Sequence, residues 1–147
     1  MLDPQLSVQG LHTETTDDGI FIIRVDNARR ETVDALCTLL HHFDLEGLAL
    51  NRHNRSLLVL SNHVYPTPYA TQRLIALARS TPPQLIESHA VVVTDSVVAR
   101  LVRMLIGKLD NKARQATNIF LSEQDGLTWL RERTRIIADY LSEQDHS

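Results

Sequence analysis

Hydrophobic and polar positions follow two periodicities along this chain, and the stretch from His89 to Lys108 contains both of them. It opens on four consecutive apolar residues, Ala90 to Val93, and continues through the polar pair Asp95 and Ser96. From there apolar residues recur at helical spacing. A continuous apolar run followed at once by an amphipathic helix is the unit from which parallel-sheet α/β domains are built. The stretch therefore predicts a buried strand and the helix that follows it.

The rest of the chain repeats the same alternation. Near the N-terminus, two strand patterns flank Asp17-Asp18-Gly19, a turn signal that predicts a β-hairpin. Thr67 and Pro68 are typical of a helix start, with Thr67 as the N-cap. The predicted elements in chain order are a strand at 6–16, a strand at 20–25, a helix at 31–43, a strand at 57–60, a helix at 69–80, the strand at 90–93 with its helix, a strand at 118–121 and a helix from 122 to 141.

This order of elements predicts the fold class. Strands that alternate with helices indicate an α/β layered domain, with a mixed, mostly parallel sheet of about five strands, about four helices and the N-terminal β-hairpin. The chain has 147 residues, a length typical of a single domain. We expect its core to span about residues 10–140, with flexible ends.

Composition narrows the classes of protein. The net charge of −3 argues against a nucleic-acid-binding surface, and no apolar run is long enough to span a membrane. The single cysteine, Cys37, cannot form an internal disulfide and is expected to be a buried apolar residue. Because the first residues also lack the features of a signal peptide, we expect a cytoplasmic protein.

Motifs for catalysis and cofactor binding are missing from the sequence. Neither phosphate-binding glycine loop nor the Gly-x-Ser-x-Gly elbow occurs, so no catalytic residue and no cofactor is predicted. The seven histidines form no His-x-x-x-His pair, and His53 and His89 are expected outside the strands. We therefore predict a non-enzymatic protein without a metal site.

Over about residues 10–135, the order of hairpin, three helix–strand units and terminal helix resembles that of STAS domains, the fold of bacterial anti-sigma factor antagonists. The C-terminal half is similar to that of uncharacterised STAS-like bacterial proteins. The similarity lies in AVVV at 90–93, SVVAR at 96–100, and IFLSE at 119–123 followed by GLTWL at 126–130. It implies a bacterial regulatory module that works through protein contacts. It also implies a phosphorylatable hydroxyl where the loop after a buried strand meets a helix, which makes Ser61, Thr67 and Thr71 candidates by position. The Asp-Ser-Ser-Gly signature of the antagonists is absent here.

The region around the predicted start of the helix after the 90–93 strand is a candidate binding surface. The turn and basic helix flank formed by Asp95, Ser96, Arg100, Arg103 and Lys108 could contact an anion or a protein partner, although Asp95 or Ser96 is foremost expected to cap the helix.

A homodimer is also predicted, because the apolar residues Val64, Tyr65 and Tyr69 are expected to be exposed near one loop. The alternative function is a carrier of a small ligand or lipid, of the CRAL-TRIO type. That alternative requires an apolar cavity.

Overall fold

A computed structural model describes residues 10–62, 64–109 and 114–145 of the chain. The N-terminal end that sequence analysis expects to be flexible, residues 1–9, lies outside these ranges, whereas residues 141–145 of the expected C-terminal end are helical. The elements in chain order are β1 (Leu11–Thr15), β2 (Phe21–Val25), α1 (Arg30–Ala49), β3 (His53–Leu60), α2 (Pro68–Ser80), β4 (Ile86–Val93), α3 (Ser96–Ile106), β5 (Gln115–Phe120) and α4 (Glu123–Asp145).

The five strands form one sheet whose spatial order is the same as their order in the chain. β1 runs antiparallel to β2, and the pairs β2–β3, β3–β4 and β4–β5 are parallel. The predicted fold class is confirmed: an α/β domain with a mixed, mostly parallel five-stranded sheet, four helices and an N-terminal hairpin.

The two faces of the sheet are covered differently. Helix α4 packs on one face through Leu130, which meets Ile22, Leu57 and Val92 of three neighbouring strands. Helices α1 and α3 pack on the other face. Helix α2 rests mainly on α1, where Ala70 joins a small cluster around α1 residues. Because α2 packs on α1 more than on the sheet, space remains between α2 and the strands.

Several elements are longer than their apolar patterns predict. β3 begins at His53 and β4 at Ile86, because strand pairing continues through polar residues that precede each apolar run. The expectation that His53 and His89 lie outside strands is therefore wrong. Helix α1 continues past Phe43 to Ala49. The predicted strand at 6–16 is observed at 11–15, and residues 6–9 lie outside the described part.

The predicted helix caps are confirmed. One carboxylate oxygen of Asp95 accepts hydrogen bonds from the backbone amides of Val97 and Val98, at 2.9 and 3.1 Å. The Thr67 hydroxyl accepts from the amide of Ala70 at 3.1 Å. These caps fix where α2 and α3 start above the carboxyl ends of the strands.

None of the helices within the described ranges is long and apolar enough to cross a lipid bilayer.

Candidate ligand cavity and its acidic end

A cavity of about 200 Å³ lies between the sheet and the three helices on its α1–α3 face. Its walls are almost entirely apolar. They include Leu36 and Leu40 of α1, Leu74 of α2, Leu105 of α3, and Leu58 and Val91 of the sheet. The volume compares with the roughly 150 Å³ of an apolar cavity that holds a benzene-sized molecule.

One end of the cavity carries a group of polar side chains, of which we call four the acidic end: Asp44, Ser56, Glu87 and His89. Thr117 of β5 also lines the cavity and stands opposite His89 in the strand register. Ser56 of β3 stands opposite His89 of β4 in the parallel register, and Glu87 lies two residues before His89 on the same strand face. Asp44 approaches from α1. Asp44, Ser56 and Glu87 are 5%, 2% and 7% exposed, so these polar groups are held among apolar neighbours.

The contacts within the acidic end form a chain from Ser56 to Asp44. The Ser56 hydroxyl is hydrogen-bonded to Nδ1 of His89. Nε2 of the same ring lies 3.0 Å from Oε2 of Glu87. That oxygen is buried and accepts no hydrogen bond of good geometry, so the contact is an ion pair by distance alone. Asp44 completes the chain, because one of its carboxyl oxygens lies within 4.8 Å of the Glu87 carboxyl group.

The pKa values of the three titratable groups shift in two ways. The shifts of Glu87 and His89 favour their charged forms, whereas the shift of Asp44 favours its neutral form. Burial, the charge of Glu87 and the hydrogen bond between the two acids raise the pKa of Asp44 to about 8. Burial alone would raise the pKa of Glu87, but the charge and contact of His89 outweigh it, so that pKa lies below its ordinary value. Burial likewise opposes protonation of His89, yet the charge of Glu87 raises the pKa of the imidazole.

These shifts favour the charged forms of His89 and Glu87, and at neutral pH Asp44, with a pKa of about 8, holds its proton. Nδ1 of His89 shares its hydrogen bond with the Ser56 hydroxyl, and Nε2 faces Glu87. Among the described residues, no arginine or lysine lines the cavity. A carboxyl group that is buried without a cation beside it is more stable in its protonated form. Asp44 is protonated at neutral pH for this reason.

The same side chains also bear on two kinds of chemistry. Asp44, Glu87 and His89 each offer a ligating atom within 4.8 Å of the others, which is compatible with a metal ion. The predicted absence of a metal site stays a prediction.

Ser56, His89 and Glu87 are also the residue types of a nucleophilic relay. However, β3 is paired with a strand on each side at Ser56, so its own backbone offers no free amide for an oxyanion hole there.

The hydroxyls proposed by position lie at the opposite, carboxyl end of the strands. Ser61 follows β3 and donates to the carbonyl of Asp26 at 3.1 Å. Thr67 caps α2, and Thr71 lies half-buried against the cavity. Their phosphorylation stays a prediction.

The role predicted for the surface around the start of α3, contact with an anion or a protein partner, stays a prediction. Ser96, Arg100, Arg103 and Lys108 are exposed beside the Asp95 cap. They are not part of the acidic end.

The reason given for a homodimer is partly wrong. Val64 is 7% exposed and belongs to the core, and Tyr69 is half-buried with its hydroxyl donating to Asp34. Of the three residues, Tyr65 alone is exposed, at 54%. Val64 is not exposed because it packs with the core residues of β2 and α1.

Comparison with protein-family models, curated proteins and solved structures finds no match for this chain. Sequence reasoning missed the acidic end, although weak signals were present. Asp44 interrupts an apolar helix face after Leu36 and Leu40, and Glu87 and His89 have the spacing of one strand face.

Proposed function

We propose that this protein binds a small, mainly apolar ligand in the cavity between α2 and the sheet. The observation that carries the proposal is an apolar cavity with a few convergent polar groups at one end. This combination is typical of sites that bind small molecules, because the apolar walls provide affinity and the polar groups orient the ligand.

The size of the cavity limits the ligand. A volume of about 200 Å³ accommodates a chain or ring of roughly six to eight non-hydrogen atoms. That is smaller than a membrane lipid, so the ligand is a compact molecule or the short apolar end of a larger one. We expect helix α2 to move during ligand entry, since Ala70 is its one buried residue.

Hexan-1-ol tests the cavity without depending on charge. We expect saturable binding of one molecule, measured by calorimetry or ligand-detected NMR. In Val91→Phe the larger ring extends from the sheet into the cavity, and binding weakens by about tenfold or more.

The matched control is Val97→Phe, which places the same ring on an exposed position of α3 (64% exposed). Equal hexan-1-ol binding by both variants, or no binding by the wild type, would contradict the proposed function.

A second candidate function, a protein-interaction module of the STAS-like kind, is supported by the outer surface of α3. Val97, Leu101 and Met104 are 64%, 43% and 64% exposed and follow helical spacing. Arg100 and Arg103 border them. Exposed apolar residues rimmed by charge are typical of partner surfaces.

Chemical cross-linking in the source cells tests this surface. We expect Leu101→Lys to lose a cross-linked partner that Leu48→Lys, at an exposed leucine of α1, retains. Identical cross-linking patterns in the two variants would count against the surface.

A further inference from the structure

We propose that the acidic end selects ligands that carry a primary ammonium group on a small apolar body. This inference rests on the proposed function of the cavity and names the chemical class of its ligand. Its geometric basis is the arrangement of acceptor atoms around one end of an otherwise apolar space.

The acceptors that an ammonium group needs are already in place. The buried Oε2 of Glu87 accepts no hydrogen bond of good geometry, and the Asp44 carboxyl group lies beside it. Ser56 adds a hydroxyl oxygen at the same end of the cavity. An ammonium group has three donors and no acceptor, so it matches a set made of carboxylate and hydroxyl oxygens.

The charge balance favours one added cation. The cavity lining contains two carboxyl groups and one imidazole, and no arginine or lysine among the described residues. His89 already faces Glu87, which leaves the Asp44 carboxyl without a cation of its own. When R-NH₃⁺ enters, Asp44 loses its proton to solvent and forms the ion pair with the ammonium group. The positive charge of the ligand then replaces that of the proton, so the net charge of the acidic end is unchanged. The pKa of about 8 for Asp44 agrees with this exchange, since the proton is held at pH 7 but can be displaced.

Two other classes of ligand fit less well. A carboxylate ligand would need a free cation, and the ring of His89 is already engaged by Glu87 at 3.0 Å. A divalent metal would need Nε2 of His89, because Nδ1 is bonded to Ser56. It would therefore have to replace the His89–Glu87 ion pair, whereas an ammonium group leaves that pair intact.

A series of six-carbon probes with different polar groups tests the inference by calorimetry at pH 7. We expect hexylamine to bind about tenfold or more tightly than hexan-1-ol, and hexanoate to bind more weakly than either. Repeating the hexylamine titration in phosphate and in Tris, which differ in ionisation enthalpy, should show release of about one proton per molecule bound.

Asp44→Asn is the informative variant, because asparagine has the size and hydrogen bonds of a protonated aspartate but cannot ionise. Hexylamine should lose its advantage over hexan-1-ol in this variant and release no proton. Glu31→Gln removes an exposed carboxylate from the same helix and should leave the advantage unchanged.

The outcomes separate the two proposals. Binding of hexan-1-ol with no preference for hexylamine would overturn the ammonium assignment and leave the cavity function standing. Failure of both probes would overturn the cavity function itself. Saturable binding of one Zn²⁺ that hexylamine does not displace would assign the acidic end to a metal ion instead. If Asp44→Asn does not fold, a proton release near zero in the wild type still overturns the inference.

Discussion

Asp44 is the residue at which burial and charge conflict most directly. It is 5% exposed and lies beside a second carboxylate, and both conditions disfavour its ionised form. The protein avoids the cost of a second buried negative charge by keeping Asp44 protonated at neutral pH. A group held in this way makes the stability of the fold depend on pH.

The free energy of unfolding should therefore respond to Asp44→Asn in a pH-dependent way. The pKa of this carboxyl group is about 8 in the folded state against 3.8 for an exposed aspartate, so the folded state binds the extra proton. Its stabilising contribution is fully present below the unfolded pKa and is lost as pH rises from about 4 through 8. Asparagine removes this dependence. Urea unfolding at several pH values should show the wild type losing stability relative to the variant as pH rises, and parallel profiles would contradict the assignment.

Residue-level predictions from sequence succeed where the interaction is local. The Asp95 cap is predictable because its partners are two and three residues away in the chain. The contact between Ser56 and His89 spans 33 residues, so no local pattern reports it. It depends on the register of two parallel strands.

Helix α1 illustrates how an element can extend beyond its predicted end. Gly47 disfavours a helix by propensity alone, yet α1 continues to Ala49. A Cβ atom at Gly47 would lie 2.2 Å from Oδ1 of Asn54, whose Nδ2 donates to the carbonyl of Phe43 at 2.8 Å. The glycine therefore allows the end of α1 to approach β3, and this close approach places Asp44 over the sheet.

Gly47→Ala should destabilise the protein by about 1–3 kcal/mol, despite the better helix propensity of alanine. Asn54 is 0% exposed and has no room to move away from the new methyl group. Gly107→Ala is the matched control, since its Cβ would meet its nearest neighbour at 3.4 Å. Chemical unfolding should show a change within about 0.5 kcal/mol for that control. Similar losses in both variants would indicate that propensity, not the contact with Asn54, decides the effect.

On the scale of the whole molecule, the two faces of the sheet differ in how closely the helices pack on them. Leu130 of α4 is 0% exposed among residues from three strands, so that face is a close-packed core. The opposite face contains the cavity, because α2 rests on α1 and stands away from the strands. Both faces contribute buried core residues, but the cavity lies on the α1–α3 face.

Leucine-to-alanine changes on the two faces should differ in cost. Leu130→Ala should lower the free energy of unfolding by about 2–5 kcal/mol, because it opens a void in a close-packed layer. Leu74→Ala, on the cavity wall, should cost less than about half of that amount, since Leu74 is already half-buried beside empty space. Denaturant unfolding of both variants measures the difference. Equal losses would mean that the cavity face is as tightly packed as the α4 face.

By itself, the sequence determined the class of the fold, the order of its elements and the starts of α2 and α3. These features follow from apolar periodicity and from caps that act within a few residues, so they are encoded locally. Only the tertiary structure decided the cavity and its acidic end. Asp44, Ser56, Glu87 and His89 come from three different elements, and their proximity depends on strand register and on how closely α1 approaches β3. The carboxyl group of Asp44 acquires its raised pKa only there, because burial and a neighbouring charge exist only after the chain has folded.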